Sequence, residues 1–293
     1  APALTTASTT INADSIAVVG TAEAESVITV TGGLATATGT AAGGNFSVQV
    51  NLTQNATNTL SVIATDASNN TSVASEVVIV EDSIFPNAPS IVNTSSTKNA
   101  DIETVTGTAE ANTLITITGG LATATGTVDG LGSFSVDVPL RQDAINTLQV
   151  TATDEAGNVS PASTFVVIED SSPPEVTGYT LNGSAVNATF HPASSSVDIA
   201  VTVDQNVKFL YVFVCEEADG TCDEGTAKQW FVAELSFATT TTQTWDGTST
   251  STTMVADGVY KLKARIEDEA SNVVEKNLTP YTITVDSLSP VIS

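Results

Sequence analysis

Asp82-x-x-x-Pro86, Asp170-x-x-x-Pro174 and Asp286-x-x-x-Pro290 set a carboxylate four residues ahead of a proline three times in this chain. Each follows an apolar run that reads as the last strand of a domain, and Pro favours an extended, stiffened path onward. These are short, ordered joints that carry an acid. In a β-sandwich, the pole facing such a joint also gathers the loop after the second strand and the loop after the sixth. Beyond Pro86 those loops hold Glu110 and Asp154, with Asn158 nearby. Asp154 continues the inward row Leu148, Val150, Ala152, so its carboxylate needs strong compensation. No Lys or Arg lies close in sequence, and three converging acids would repel one another. Ca²⁺ resolves this, because it takes six to eight oxygen ligands from carboxylates, amides and backbone. The expectation is one Ca²⁺ per joint, held by Asp82, Glu110 and Asp154 at the first and by Asp170, Asp204 and Asp268, with Asn272, at the second. Glu23 and Asp66 occupy the matching places near the start, without an upstream linker Asp, and Asp286 sits on the trailing linker. The competing reading is that these acids cap turns in Asx fashion on a solvated pole.

The elements that must position these acids follow from an internal repeat. Residues 20–40 and 107–127 are identical at 17 of 21 positions, and later matches pair Asp66 with Asp154 and Asp82 with Asp170. A period near 87 residues is too long for most solenoid units and suits one sandwich domain. About a sixth of the residues are Thr, a β-branched strand former, while Lys and Met are scarce. Apolar residues alternate with polar ones, as at Phe134, Val136 and Val138, and turn clusters such as Gly119-Gly120 separate the runs. The reading is all-β: three tandem immunoglobulin-like sandwiches in an extended array, residues 1–85, 86–173 and 174–293. The third is longer and divergent. Tyr260, opening its Asp257-Gly258-Val259-Tyr260 strand, stands where the tyrosine corner of such sandwiches bonds nearby backbone. Seven or so short strands per unit fit that fold, without the Cys…Trp…Cys pattern of antibody domains.

Charge and composition exclude several roles. Lys+Arg 8 against Asp+Glu 33 gives a net charge of −25, which opposes nucleic acid and anionic lipid headgroups as partners. No run approaches the length of a membrane span. Cys215 and Cys222, seven positions apart around a hairpin tip, are expected to form a disulfide, which fits an exported chain. Two Cys and one distant His fall short of a zinc set. His191 is the sole His, so no Ser-His-Asp triad is expected and the chain reads as a non-enzyme. The Gly-rich stretches 32–44 and 119–132 lack a Gly-Lys-Ser/Thr ending and read as hairpin turns. Trp245 reads as core, and Trp230 as core or a sugar-stacking platform. Asn-x-Ser/Thr sites stand at Asn45, Asn51, Asn55, Asn93, Asn187 and Asn277.

Gly-Thr-Ala-Glu at 20–23 and 107–110, Ala-Thr-Asp-Glu-Ala-Gly-Asn at 152–158 and the Asp-x-x-x-Pro linkers resemble the tandem bacterial Ig-like domains of surface adhesins and S-layer proteins. The third unit, with Trp245-Asp246-Gly247, is similar to Ig-like modules of the flagellar hook-cap type. The resemblance implies an extracellular, cell-surface structural protein: a calcium-stiffened stalk, filament or S-layer component. Lys–Asn cross-links known in surface Ig-like domains are excluded for the first unit, since the first Lys is Lys98. Pro2 and the trailing linker stand in the same phase of the repeat. That suits an excerpt of a longer array, or head-to-tail assembly with other copies of the chain or neighbouring Ig-like domains. The alternative is an adhesin or binding module whose third domain recognises a glycan or protein through its Cys-closed loop and Trp230.

Overall fold

The computed structural model describes residues 1–192, 195–205, 207–217, 222–223, 227, 229–234, 239–250 and 252–288, with the backbone alone for 230–234. Among them every regular element is a strand. The same arrangement occurs three times: a three-stranded sheet beside a five-stranded one. In the first repeat the five-stranded order is Thr9–Ile11, Ser75–Glu81, Ala56–Thr65, Val27–Thr31, Ala37–Thr40, and the smaller sheet joins Ala3–Leu4, Ser15–Thr21 and Asn45–Asn51. The second repeat matches it strand for strand, with Ser96–Lys98, Ser163–Glu169, Ala144–Thr153, Leu114–Thr118 and Ala124–Thr127 in the larger sheet. In the third segment that sheet runs Ala188–Phe190, Val273–Val285, Gly258–Glu267, Phe209–Glu216, Gln229–Glu234.

Strict alternation builds the cores. In Asn45–Asn51 every second side chain, Phe46, Val48 and Val50, is buried. They meet Ile28, Val30, Leu60, Val62 and Ile79 from the facing sheet. Full burial of such a side chain stabilises by roughly 1.5–3 kcal/mol, offset in large part by the entropy of ordering the chain. The paired glycines at 32–33 and 119–120 are required by the backbone. Gly32 and Gly119 have φ of +96° and +99°, and a Cβ there would meet the carbonyl oxygen of Thr59 or Thr147 at 2.0 or 1.9 Å.

One topological detail decides what lies at each pole. The opening segment of every repeat changes sheets, and its second piece pairs parallel to the last strand: Thr9–Ile11 with Ser75–Glu81, Ser96–Lys98 with Ser163–Glu169, Ala188–Phe190 with Val273–Val285. The ladder ends where the linker Asp begins, with Asp82 N–H donating to Ile11 O (2.9 Å), Asp170 to Lys98 O (3.0 Å) and Asp286 to Phe190 O (3.2 Å). Parallel pairing brings the residue after that opening segment to the exit pole beside the linker. That residue is Asn12, Asn99 or His191.

Three-dimensional contacts group the chain into two compact units, 1–94 with 102–139 and 147–166, and 95–101 with 140–146 and 167–293. The first linker and its partners lie within the former unit, the second linker and its partners within the latter.

Candidate functional site

At the pole beyond the first linker, the Asp154 carboxylate closes a tight turn. Its Oδ1 accepts the Asn158 N–H at 2.8 Å and its Oδ2 accepts Asn158 Nδ2 at 2.9 Å. The same Nδ2 donates to the backbone oxygen of Asp82 at 2.9 Å, and Asn158 Oδ1 accepts from Asn12 Nδ2. Asn158 is 5% exposed, so each of these bonds is made largely out of water. A single side chain thus ties its own turn to the linker and to the first strand of the preceding repeat.

The arrangement recurs at the second linker. Asp268 accepts the Asn272 N–H and Nδ2, both at 2.8 Å, Asn272 Nδ2 donates to Asp170 O at 2.9 Å, and Asn99 Nδ2 donates to Asn272 Oδ1. Asp268 and Asn272 are 2% and 6% exposed. In the first repeat Asp66 makes the same turn with Asn70, through N–H at 2.9 Å and Nδ2 at 2.8 Å. These bonds, with that from Ser68 N–H, hold the Asp66 carboxyl below the usual carboxylate range.

The remaining sequence-derived acids take other places. The linker carboxylates cap turns two residues ahead: Asp82 Oδ1 accepts Ile84 N–H (3.0 Å), Asp170 accepts Ser172 N–H (3.2 Å) and Asp286 accepts Leu288 N–H (3.0 Å). Pro86 and Pro174 are buried behind them. Glu23 and Glu110 are exposed, and their backbone oxygens receive Ser26 Oγ and Thr113 Oγ1, each at 2.7 Å. Asp204 pairs instead with Glu175, accepting its N–H at 2.7 Å and returning a bond at 3.0 Å. Among the described residues no three acids, His or Cys are gathered closely enough to hold a metal ion. The triads Asp82–Glu110–Asp154 and Asp170–Asp204–Asp268 are therefore not assembled as ligand sets. Hydrogen bonding within each turn compensates Asp154 and Asp268.

Negative charge does concentrate at the second linker. Asp170 is pushed above the ordinary carboxylate range, by burial first and then by the neighbouring carboxylates of Asp268, Asp143 and Glu169. Glu169 is 1% exposed, and its Oε2 accepts Asp143 N–H at 2.6 Å while Oε1 has no partner among the described residues. Glu81 occupies the same place in the first repeat, equally buried and with the same oxygen unpaired among the described residues. Sequence reasoning missed both, although each stands on the inward parity of its last strand.

It also missed a recurrent corner. Asn58 and Asn146, both fully buried, are the third residues of Ala56–Thr65 and Ala144–Thr153. Asn146 Oδ1 accepts Arg141 N–H (2.8 Å) and its Nδ2 donates to Arg141 O and Ala144 O (3.1 Å each); Asn58 does the same with Thr53 and Ala56. Tyr260 holds that place in Gly258–Glu267, its hydroxyl donating to Ala256 O at 2.7 Å. Trp245 is core, edge-on to Phe190 and Tyr260 at 5.5 and 5.3 Å, with Nε1 donating to Thr248 O. Cys215 and Cys222 form a disulfide packed on Phe213. His191 Nε2 lies 3.1 Å from Ser287 O at the third exit pole. The side chain of Trp230, Pro290 and the Val291-Ile292 tail lie outside the described residues.

Fold, repeat and poles define a class: an all-β protein of tandem immunoglobulin-like sandwiches. Within that class, the bacterial Ig domain model matches residues 1–81 and 86–169, and the chain belongs to that family. No curated protein matches it. Similar solved structures include a Ca²⁺-stabilised adhesin with which an Antarctic bacterium binds ice (21% identity, 96% of this chain and 74% of that one, TM-score 0.42). Another is a 1.5-MDa bacterial ice-binding adhesin (17%, 95% and 94%, TM-score 0.38). A three-Ig fragment of titin is also similar (11%, 98% and 99%, TM-score 0.42). These likenesses are of fold. No helix among the described residues is long and apolar enough to cross a membrane.

Proposed function

We propose that the chain is a non-enzymatic stretch of a cell-surface, adhesin-type array: three modules, 1–85, 86–173 and 174–293, fastened pole to pole into a stiff stalk. One observation carries this reading, the repeated asparagine tie. Asn158 and Asn272 each bond their own module's turn and the backbone of the linker entering it, in the same geometry at both joints. A joint meant to swivel has no use for a buried amide that must break two hydrogen bonds to turn. The disulfide supports an oxidising, extracellular setting. Head-to-tail propagation into a filament or S-layer would need other chemistry at the third exit, where His191 stands in the place of Asn12 and Asn99.

Calcium belongs to this proposal at the second joint. The carboxylates crowding Asp170 suit a hard divalent cation, with Asp170 as its holder and Asp268, Asp143 and the buried Glu169, whose Oε1 has no partner among the described residues, deepening the negative potential. At the first joint the Asn158 bonds already use the Asp154 carboxylate, and the tie alone does the fastening. A second reading, recognition of a surface glycan or protein by the third module, is favoured by the half-buried rings of Phe209 and Tyr211, with the Arg265 guanidinium 5.1 Å from the Tyr211 ring centre.

Small-angle scattering and residual dipolar couplings on the full chain test the array. Wild type should keep fixed alignment at both joints, and Asn158→Ala with Asn272→Ala should release it. Calcium should tighten the second joint only, and lose that effect in Asp170→Asn. Alignment indifferent to both asparagines would overturn the reading. Alignment that depends on them but ignores calcium and chelator would remove the ion alone.

A further inference from the structure

The entry pole of the first repeat is built, bond for bond, like a pole that receives a linker. Ala64 N–H donates to Ser72 Oγ at 3.0 Å, as Ala152 N–H does to Ser160 Oγ at 2.9 Å. Ser75 Oγ donates to Pro2 O, as Ser163 Oγ does to Pro89 O. Asp66 grips Asn70 as Asp154 grips Asn158. One difference stands out. Asn158 also meets Asp82 O and Asn12, and is buried, whereas Asn70 is exposed and its amide bonds only Asp66 among the described residues. Around it lies an open hollow of about 270 Å³, lined by Pro2, Ala22, Glu23, Ser26, Asp66 and Asn70 among others.

We infer that this hollow is a docking site for the exit end of a further repeat of the Asn12/Asn99 type, from outside the sequence described. The partner must offer a backbone carbonyl at the linker Asp, to accept from Asn70 Nδ2, and an asparagine amide after its opening strand, to donate to Asn70 Oδ1. The first two repeats present that pair at their exits, as Asp82 with Asn12 and Asp170 with Asn99. The third exit does not, because His191 stands in the asparagine position and its Nε2 is already at Ser287 O. The site therefore selects an Asn-bearing repeat over the end of a second copy of this chain. It rests on reading Asn158 and Asn272 as ties between modules.

The test fuses a duplicate of residues 1–87 ahead of Ala1 of the full chain, which keeps the phase of the repeat. Hydrogen exchange is then followed at 64–72 of the original copy and at 152–160. Docking should slow exchange at 64–72 by roughly tenfold or more, the worth of one to two buried hydrogen bonds. Asn12→Ala in the added copy, or Asn70→Ala in the original, should remove that gain. Asn70→Ala in the unfused chain should still fold, giving the baseline. Protection at 152–160 that depends on Asn12 and Asn158, with none gained at 64–72, would overturn this docking site alone. Loss of neither would overturn the tie itself.

Discussion

Replacing Asn158 by Ala removes three side-chain hydrogen bonds: to Asp82 O at 2.9 Å, to Asp154 Oδ2 at 2.9 Å, and from Asn12. The backbone bond from residue 158 to Asp154 Oδ1 survives, so the turn keeps its frame. At about 1 kcal/mol each, the loss sums to about 3 kcal/mol. Asn70→Ala is the internal control, since Asn70 makes the turn bond to Asp66 Oδ2 at 2.8 Å but no tie, and should cost about 1 kcal/mol. The difference of about 2 kcal/mol, some thirtyfold in an opening equilibrium, isolates the tie. Both Trp and all four Tyr lie beyond residue 178, so intrinsic fluorescence is blind to this joint. Native-state hydrogen exchange at the Asp154 and Asn158 amides, compared with Asp66 and Asn70, reads it directly. Equal losses in the two variants would refute the argument, because they would show that the bonds to Asp82 and Asn12 contribute nothing beyond the local turn.

Two further outcomes follow from charge and covalent structure. Asp170 is raised above its unfolded value, so the folded state binds the extra proton. In metal-free solution, stability of the second joint should therefore rise as pH falls through the raised value toward the ordinary aspartate value of 3.8, and Asp170→Asn should flatten that rise, measured by exchange at Asp268 and Asn272. Reducing the Cys215–Cys222 bridge, which closes a loop with a sequence separation of 7, should destabilise the third module by about 2.5 kcal/mol on a chain-entropy estimate. Urea unfolding followed by Trp fluorescence checks this, and an unchanged midpoint in reductant would contradict it.

Strand content, the repeat and the shared linker spacing were legible because they are local. Alternation such as Phe46, Val48 and Val50 needs no partner to be read, and the spacing of Asp82, Asp170 and Asp286 is plain arithmetic. Asn158 and Asn272 were read beside Asp154 and Asp268, but the asparagines that reach across to them were not. Asn12 reaches Asn158 across 146 residues and Asn99 reaches Asn272 across 173, by way of the parallel pairing of first and last strands, which no local pattern announces. Asp204, read as a third ligand, also accepts the N–H of Glu175 on the incoming chain, a contact no local pattern announces. Asn58 and Asn146 were visible as matched residues, yet only burial shows that they perform the task Tyr260 performs in the third segment with different atoms. The requirement is a donor at that corner, and more than one side chain meets it.

The parallel pairing of each opening strand with the last strand has a mechanical side. Tension applied at the two ends of a sandwich draws Thr9–Ile11 toward one pole and Ser75–Glu81 toward the other, so the rungs Thr9–Ile79, Thr10–Val80 and Ile11–Glu81 are sheared together instead of peeled one by one. The same loading falls on Ser96–Lys98 and on Ala188–Phe190. Force therefore meets a clamp at every bead, and a chain tugged along its length should resist abruptly and then yield in discrete steps.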